Sequence, residues 1–340
     1  MKIALAYSPF LLSRTGGLQE QLLSIHRELV ELGVDAKLFS IDSGNFSDFD
    51  LIHIFDAESC NFRLVEEAKK HDIKIVVSSI IGPNESKYLA TRDDLIEKAV
   101  KFFSKNSLSL TKEQTRWCLN GADAVIALGE VEKNTLSIHY GIKKNSISII
   151  PNGVSSQFFS PEPSLFIDQY HIEKGYILCV GSIYPLKNQL LLADITKNMG
   201  VSLVLIGDIR DKHYFDQIQA YTHVNYIGTI KDKKLLASAY AAASVFTLIS
   251  EHEIMPLVVL EALASCTPIM MTNNHSMSLN LNLEHVKQVD PSKIAELKKT
   301  LTYLIEKYPN RQNINQESTA LSWREVAQQH LSLYKQLFQH

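Results

Sequence analysis

KIALAYSPFLLSRTGGLQEQLLSIHRELVELG, running from Lys2 to Gly33, decides the fold class. The apolar run Lys2 to Tyr7 reads as a strand, Gly16-Gly17 as a turn, and Leu18 to Leu32 as an amphipathic helix stopped by Gly33. The apolar residues recur at helical spacing, and glycine tolerates the left-handed conformation that closes a helix. Outward from this unit the pattern repeats. Val34 to Ser40, Leu51 to Phe55, Ile73 to Ser79 and Ala124 to Ala127 are further apolar strand signals separated by helical segments, and such alternation predicts a parallel sheet. The pattern restarts beyond the Pro151-Asn152-Gly153 turn and the polar stretch Ser160-Pro161-Glu162-Pro163, which is the candidate linker. Strands are expected at Tyr176 to Val180, Ser202 to Ile206, Val224 to Ile227, Val245 to Leu248 and Pro268 to Met271, and a last helix from Trp323 to Phe338. A second doubly wound sheet is the consequence.

Length and composition agree with two α/β domains. A chain of 340 residues exceeds what one hydrophobic core usually holds, so two domains of roughly 150 to 180 residues are expected. With 45% hydrophobic and 21% charged residues, both cores can be filled. The formal charge of -3 argues against a nucleic-acid binder, which carries a basic excess, and leaves anionic small molecules open. The four cysteines, Cys60, Cys118, Cys179 and Cys266, form no CxxC pair, so neither a zinc site nor a disulfide framework is signalled and a reducing compartment is expected. The opening MKIALAYSPF is too short an apolar run for a signal peptide, and no stretch approaches the roughly 18 to 20 apolar residues that span a bilayer. A cytoplasmic protein, soluble or peripherally bound to the inner face of the membrane, is the expectation.

Chemistry concentrates in Ser250-Glu-His-Glu-Ile-Met-Pro-Leu-Val-Val-Leu-Glu261-Ala-Leu-Ala, which sets Glu253 before a helix and Glu261 inside it. Pro256 suits the first helical turn, where its missing N–H costs nothing. A helix N-terminus there offers backbone N–H groups and a positive dipole end to a phosphate or a sugar hydroxyl. Glu261, about two turns in, is placed to accept the hydroxyls of a ribose while Glu253 faces a sugar. The plain alternative is that Glu253 favours the helix N-terminus and Glu261 is a solvated helical residue. Lys187 follows the strand ending at Val180, at the carboxyl edge where open α/β sheets bind ligands; its ammonium suits a leaving diphosphate, the alternative being a solvated lysine. Gly16 and Gly17 permit close backbone approach to a diphosphate, or simply make a turn. Asp48-Phe-Asp50 has the D-x-D form of a metal site but precedes a strand instead of closing one, so it is read as an entry turn and no metal is expected.

Together these motifs resemble the family 4 retaining glycosyltransferases of the GT-B fold. The resemblance rests on Glu253 to Glu261 followed by Ala262-Leu-Ala-Ser-Cys-Thr-Pro268-Ile, on Gly16-Gly17, on Ala122-Asp-Ala-Val-Ile-Ala-Leu, on Ile150-Pro-Asn-Gly-Val154, on Gly181 with Lys187, and on Ser322-Trp-Arg-Glu-Val-Ala. It implies two Rossmann-like doubly wound domains facing across a cleft: an acceptor domain over residues 1–157, joined by a crossing helix at 323–340, and a nucleotide-sugar-binding domain over 158–322. It further implies retaining transfer from a UDP- or GDP-sugar to a saccharide or lipid-linked acceptor in surface glycan synthesis, without a cofactor or metal. Glu253, Lys187 and either Asp56 or His53 would be catalytic. Gly16, Gly17, Ser182, Lys187, Met255, Pro256, Leu257, Glu261 and Ile230 would hold the donor, with the base stacking near Ile209 and the Tyr226 to Ile230 loop.

Departures from the family pattern keep other readings open. Ser182 stands where relatives have arginine, Ile254-Met255-Pro256 replaces Gly-Phe-Gly, and Val77-Ser-Ser-Ile-Ile81 lacks a histidine. Arg14 is a candidate substitute cation. His53 is followed by Ile54, Phe55 and Asp56, so Asp56 replaces a usual histidine, or His53 reaches the cleft, or His53 is a satisfied strand-end residue. A catalytically silent partner subunit and a non-hydrolysing nucleotide-sugar epimerase are the competing functions. The segment Lys87 to Arg116 interleaves Lys87, Arg92, Lys98, Lys101, Lys105 and Lys112 with Phe102 and Phe103. It reads as an ordinary amphipathic helix or as a contact with anionic lipid.

Overall fold

The computed structural model describes residues 1–8, 11–13, 16–40, 44–58, 61–82, 111–277, 281, 283–309 and 321–339. The chain divides into two compact units, Met1–Asn152 with Ser276–Ser278 and Trp323–His340, and Gly153–His275 with Leu279–Ser322. The boundary therefore falls ahead of the expected 157/158. Its cause is local pairing: β7 (Gly153–Val154) runs parallel to β14 (Leu321–Ser322), and Phe158 packs edge-on to Tyr240 at 5.7 Å within the second unit.

The first unit is built on β1 (Lys2–Ala6), β2 (Asp35–Phe39), β3 (Leu51–Phe55), β4 (Lys74–Ser78), β5 (Ala124–Ala127) and β6 (Ile147–Ile149). They form one parallel sheet in the order β2-β1-β3-β4-β5-β6. All five residues of β3 are buried, as expected of a central strand covered on both faces. Helix Gly17–Glu31 follows β1 and buries Leu22, Ile25 and Leu29. It packs on the C-terminal helix Trp323–Gln336, which buries Trp323, Val326, Ala327, His330 and Tyr334.

In the second unit β8 (Ile177–Val180), β9 (Leu203–Ile206), β10 (Val224–Gly228), β11 (Val245–Leu248), β12 (Ile269–Thr272) and β13 (Val286–Val289) form a parallel sheet in the order β10-β9-β8-β11-β12-β13. β8, β9, β11 and β12 are buried along their whole length. Each strand signal in the sequence lies within a residue or so of an observed strand. β6 and β13, both at sheet edges, were not expected. Among the described residues no helix is long and apolar enough to cross a membrane. Arg14 and the Lys87 to Lys105 part of the basic segment lie outside the described residues; the helix Thr111–Asn120 follows them.

Candidate functional site

Both sheets reverse their winding once. In the second unit β8, β9 and β10 advance toward one edge and β11, β12 and β13 toward the other, so the switch point lies between β8 and β11. Turns at the carboxyl ends of two such strands diverge and open a crevice. Lys187 ends the short helical turn Pro185–Lys187 after β8, and Glu253 lies in the loop after β11. The Lys187 ammonium donates to Glu253 Oε1. The pair is mostly shielded, with side chains 20% and 11% exposed. The two turns are held in place by backbone bonds: Glu251 N–H donates to the Leu186 carbonyl at 2.9 Å, and Glu253 N–H to that of Asn274 at 3.0 Å. Asn188, in the left-handed conformation at φ 55, donates through Nδ2 to the Ile249 carbonyl at 2.9 Å. Beneath them burial pushes the Cys179 thiol up to about 12, so it stays protonated.

Beyond Glu253 the chain passes Met255, which is buried, and Pro256 and Leu257, which are half-buried. It then enters the helix Leu257–Ala264. Pro256 is the extended residue capping this helix, one position ahead of the expected first turn. Glu261 is not a solvated helical residue: it is only 7% exposed, and its Oε2 accepts the Tyr240 hydroxyl at 2.9 Å. Tyr240 is fully buried, and burial with the Glu261 charge beside it holds its hydroxyl well above the ordinary tyrosine range. The sequence spacing pointed to Glu261 but not to this partner from the helix Lys233–Ala242.

The turns after β8 and β9 are knitted together. A side chain at Gly207 (φ 154) would place its Cβ 2.0 Å from the Gly181 carbonyl oxygen, so this approach requires glycine. Gly181 N–H donates to the Ile206 carbonyl at 2.9 Å, and Ile183 N–H to that of Asp208 at 2.7 Å. The Ser182 hydroxyl donates to Asp208 Oδ1 at 2.6 Å. On the other oxygen Asp208 meets Arg210 Nε at 3.3 Å. Burial raises the Asp208 carboxyl, but the bonds from Ser182 and Arg210 outweigh it and hold the group below its ordinary value. Ile209, bridged to Ile183, is 36% exposed. Tyr226 bonds the Gly207 carbonyl at 2.8 Å, and Ile230 is half-buried just past β10.

In the first unit the switch point lies between β1 and β3. Gly16 and Gly17 follow β1 and are exposed. Gly16 is extended at φ 170, and none of the described residues lies within 4 Å of an added Cβ, so its backbone conformation does not demand glycine. Asp56 follows β3 at φ 79 and accepts the Glu58 N–H at 2.8 Å. A non-glycine residue in this conformation stores local strain of the kind that collects at functional turns. His53 is a correction. It is fully buried, with Nδ1 bonded to the Tyr334 hydroxyl at 2.7 Å and Nε2 to the Ser78 hydroxyl at 2.8 Å. Burial, then the neighbouring His330, lower its pKa well below the usual histidine value. Of its alternative readings, the satisfied histidine is the one observed, although it sits at the middle of β3 and not at its end.

Sequence reasoning missed Glu132. It is fully buried: Oε1 accepts the Ser79 hydroxyl at 2.6 Å and the Ile81 N–H at 2.7 Å, and Oε2 accepts the Leu128 N–H at 2.7 Å. Burial raises its carboxyl against these bonds. Between Ser79 and Ile81 lies Ile80, at φ 53, a conformation rare for a β-branched residue. The available signal was a glutamate three residues past Gly129, the glycine that caps the helix Glu130–Tyr140, where a carboxylate can reach back to satisfy backbone N–H groups. Asp50 sits at the amino end of β3, where its carboxylate accepts the Lys2 N–H at 2.7 Å.

Two parallel sheets, each with its switch point lined by the residues above, are the arrangement of GT-B glycosyltransferases. The profile described as Glycosyltransferase Family 4 matches residues 15–158, and that described as Glycosyl transferases group 1 matches residues 167–320. The chain belongs to the family 4 glycosyltransferases of the GT-B fold. Among solved structures, HepE of Anabaena, crystallised with UDP, superposes with a TM-score of 0.73 at 15% identity, covering 99% of this chain and 100% of that one. Among curated relatives, the amylovoran biosynthesis glycosyltransferase AmsD of Erwinia amylovora is 25% identical over 43% of this chain and 42% of its own length. The mannosylfructose-phosphate synthase of Agrobacterium fabrum is 24% identical over 73% and 58% respectively. The matched stretches thus span less than two thirds of either curated relative.

Proposed function

We propose that this protein is a retaining glycosyltransferase that moves a sugar from a UDP- or GDP-linked donor onto a saccharide or lipid-linked acceptor in glycan synthesis. The observation that carries the proposal is the meeting of Lys187 and Glu253 at the switch point of the second sheet. It puts a cation for a diphosphate and a carboxylate for sugar hydroxyls at one place. UDP bound to HepE supports a nucleoside diphosphate donor, and the name of AmsD supports a polysaccharide acceptor.

In the proposed reaction the bond between the anomeric carbon and the phosphate oxygen breaks. A bond from the acceptor oxygen forms on the same face, and the departing phosphate takes the acceptor proton. Lys187 offsets the charge growing on the diphosphate, which is where fixed electrostatics contribute most. Glu253 orients the donor sugar, and Glu261, held by Tyr240, receives the ribose hydroxyls. Met255, Pro256 and Leu257 line the sugar, while Ser182 and Ile230 belong to the nucleotide side. Positioning supplies the remainder of the rate. The first unit takes the acceptor, with Asp56 at its strained turn as a candidate sugar contact and Gly16-Gly17 presenting backbone to an anion. Lys187 meets the leaving charge without a metal, so the reaction is proposed to survive chelator. The site of action is the cytoplasm, with the inner membrane face as the place where a lipid-linked acceptor would be met.

The test is a thermal-shift and saturation-transfer screen against UDP-, GDP-, dTDP- and ADP-sugars with chelator present. Selective stabilisation by one sugar nucleotide, lost in Lys187→Ala, supports the proposal. No response to any donor overturns it in favour of a silent partner subunit, and an altered sugar nucleotide formed without acceptor overturns it in favour of an epimerase.

A further inference from the structure

Arg210 has no part in the function proposed so far, yet the fold sets it, in the turn after β9, against the turn that carries Lys187. Its own N–H donates to the Ile183 carbonyl at 3.1 Å, and the Asp211 N–H to the same oxygen at 3.2 Å, so its backbone is anchored between Ser182 and Tyr184. The guanidinium lies 5.9 Å from the centre of the Tyr184 ring, and the Tyr184 carbonyl accepts the Lys187 N–H at 3.0 Å. Ser182 and Arg210 grip opposite oxygens of one carboxylate, that of Asp208. The close approach of Gly181 to Gly207 fixes the two turns against each other.

Charge balance explains why such a residue would be needed. Lys187 is already neutralised by Glu253, so the pair together presents no net positive charge to a diphosphate. We propose that Arg210 is the second cation of the donor site, moving from Asp208 to the phosphates of a nucleoside diphosphate bound over the Gly181-Ser182 turn. The proposal rests on the donor-site reading above and adds a residue to it. Arg210 and Asp208 are 48% and 39% exposed, and an ion pair so exposed opens at little cost. An arginine fork matches phosphate oxygens in two parallel bonds, which a lysine cannot do. Asp208 keeps Ser182 when Arg210 leaves, so the turn retains its shape. The nucleotide would then replace the carboxylate as the partner of Arg210.

Isothermal titration calorimetry on the full chain tests this, with UDP and GDP as probes and uridine and guanosine as phosphate-free controls. Arg210→Ala should weaken the diphosphate roughly tenfold or more, the usual worth of a lost charge-assisted bond, and leave the nucleoside unchanged. Asp208→Asn, which removes the carboxylate charge facing Arg210 while still accepting from Ser182, should tighten the diphosphate. If Arg210→Ala binds UDP and GDP as tightly as the parent, this inference falls and the donor site stands. If Asp208→Asn weakens binding as Arg210→Ala does, or if the nucleoside is lost as well, Arg210 only shapes the turn and the inference is overturned. If the parent binds neither diphosphate, the donor-site reading fails first and takes this one with it.

Discussion

Replacing His330 with leucine should remove about 2 kcal/mol of acid sensitivity from the first unit. His330 is 1% exposed; its Nδ1–H donates to the Val326 carbonyl at 2.9 Å, and its Nε2 is buried with no hydrogen-bond partner among the described residues. Its ring lies 5.4 Å from that of His53 and 6.1 Å from that of Tyr334. Burial, opposed by the Val326 bond, lowers its pKa to about 4, against about 6.5 in an unfolded chain. The unfolded state therefore binds this proton first as the solution is acidified. Stability from the neutral imidazole is complete above about pH 6.5 and is lost as the pH falls toward 4. At about 1.4 kcal/mol per pH unit across that window, the loss between pH 7 and pH 5 comes to about 2 kcal/mol. His53 is lowered too, by burial and then by the His330 charge, so its loss has the same sign and the two titrate together. The assay is urea unfolding followed by tryptophan fluorescence at pH 7 and pH 5. Both tryptophans, Trp117 and Trp323, belong to the first unit, so the signal reports on it. His330→Leu also removes the orphaned nitrogen, and it should show a pH dependence smaller by about 2 kcal/mol than the parent. Equal losses in the two proteins would refute the reasoning.

Gly207→Ala brings a Cβ to 2.0 Å from the Gly181 carbonyl oxygen, so the turns after β8 and β9 must separate; calorimetry should show a loss of about 2 kcal/mol or more in the second unit, together with weakened UDP binding. Tyr240→Phe removes the hydroxyl given to Glu261 at 2.9 Å and should cost about 1.5 to 3 kcal/mol in denaturant unfolding; on the proposed function it raises KM for the donor more than it lowers kcat, and an unchanged KM would count against the ribose role. Glu132→Ala takes the acceptor from the buried Ser79 hydroxyl and from the Ile81 and Leu128 N–H groups, at a cost of about 3 kcal/mol or more; hydrogen exchange should show Ile81 and Leu128 losing protection ahead of β4 and β5.

Most of the fold was legible because parallel strands buried on both faces are written as continuous apolar runs. Leu51 to Phe55 and Val245 to Leu248 were placed to the residue. β13 was not, since its two central residues are Lys287 and Gln288 and an edge strand needs little apolar sequence. β6 has three residues, only one of them buried, which is too short a pattern to stand out. The nomination of candidate residues was legible where a motif fixes position along the chain, as with Glu253, Glu261 and Lys187. It was not legible where a contact crosses the fold. The partners of His53 sit on β4 and on the C-terminal helix, the latter 281 residues away, and no local pattern distinguishes a histidine with two such partners from one facing solvent. Arg210 and Tyr240 carried no local signal for the same reason: each makes contacts with a neighbour brought by a different strand or helix.

The Lys187–Glu253 pair shows what that long-range assembly adds to the motif. Each member is a charge largely removed from water, and each is stabilised by the other; taking away one alone leaves the other uncompensated, which costs more than the pair gains. On the proposed function, a diphosphate that draws Lys187 away strands Glu253 unless sugar hydroxyls arrive with it. Conversely, a sugar that engages Glu253 leaves Lys187 without its counter-charge unless phosphate is present. On the proposed function the ion pair would therefore tie recognition of the two halves of the donor together, favouring an intact sugar nucleotide over either fragment. Two residues that spacing alone could only nominate separately are brought into contact by the switch point, and on that proposal they act as a single test of whether the ligand is whole.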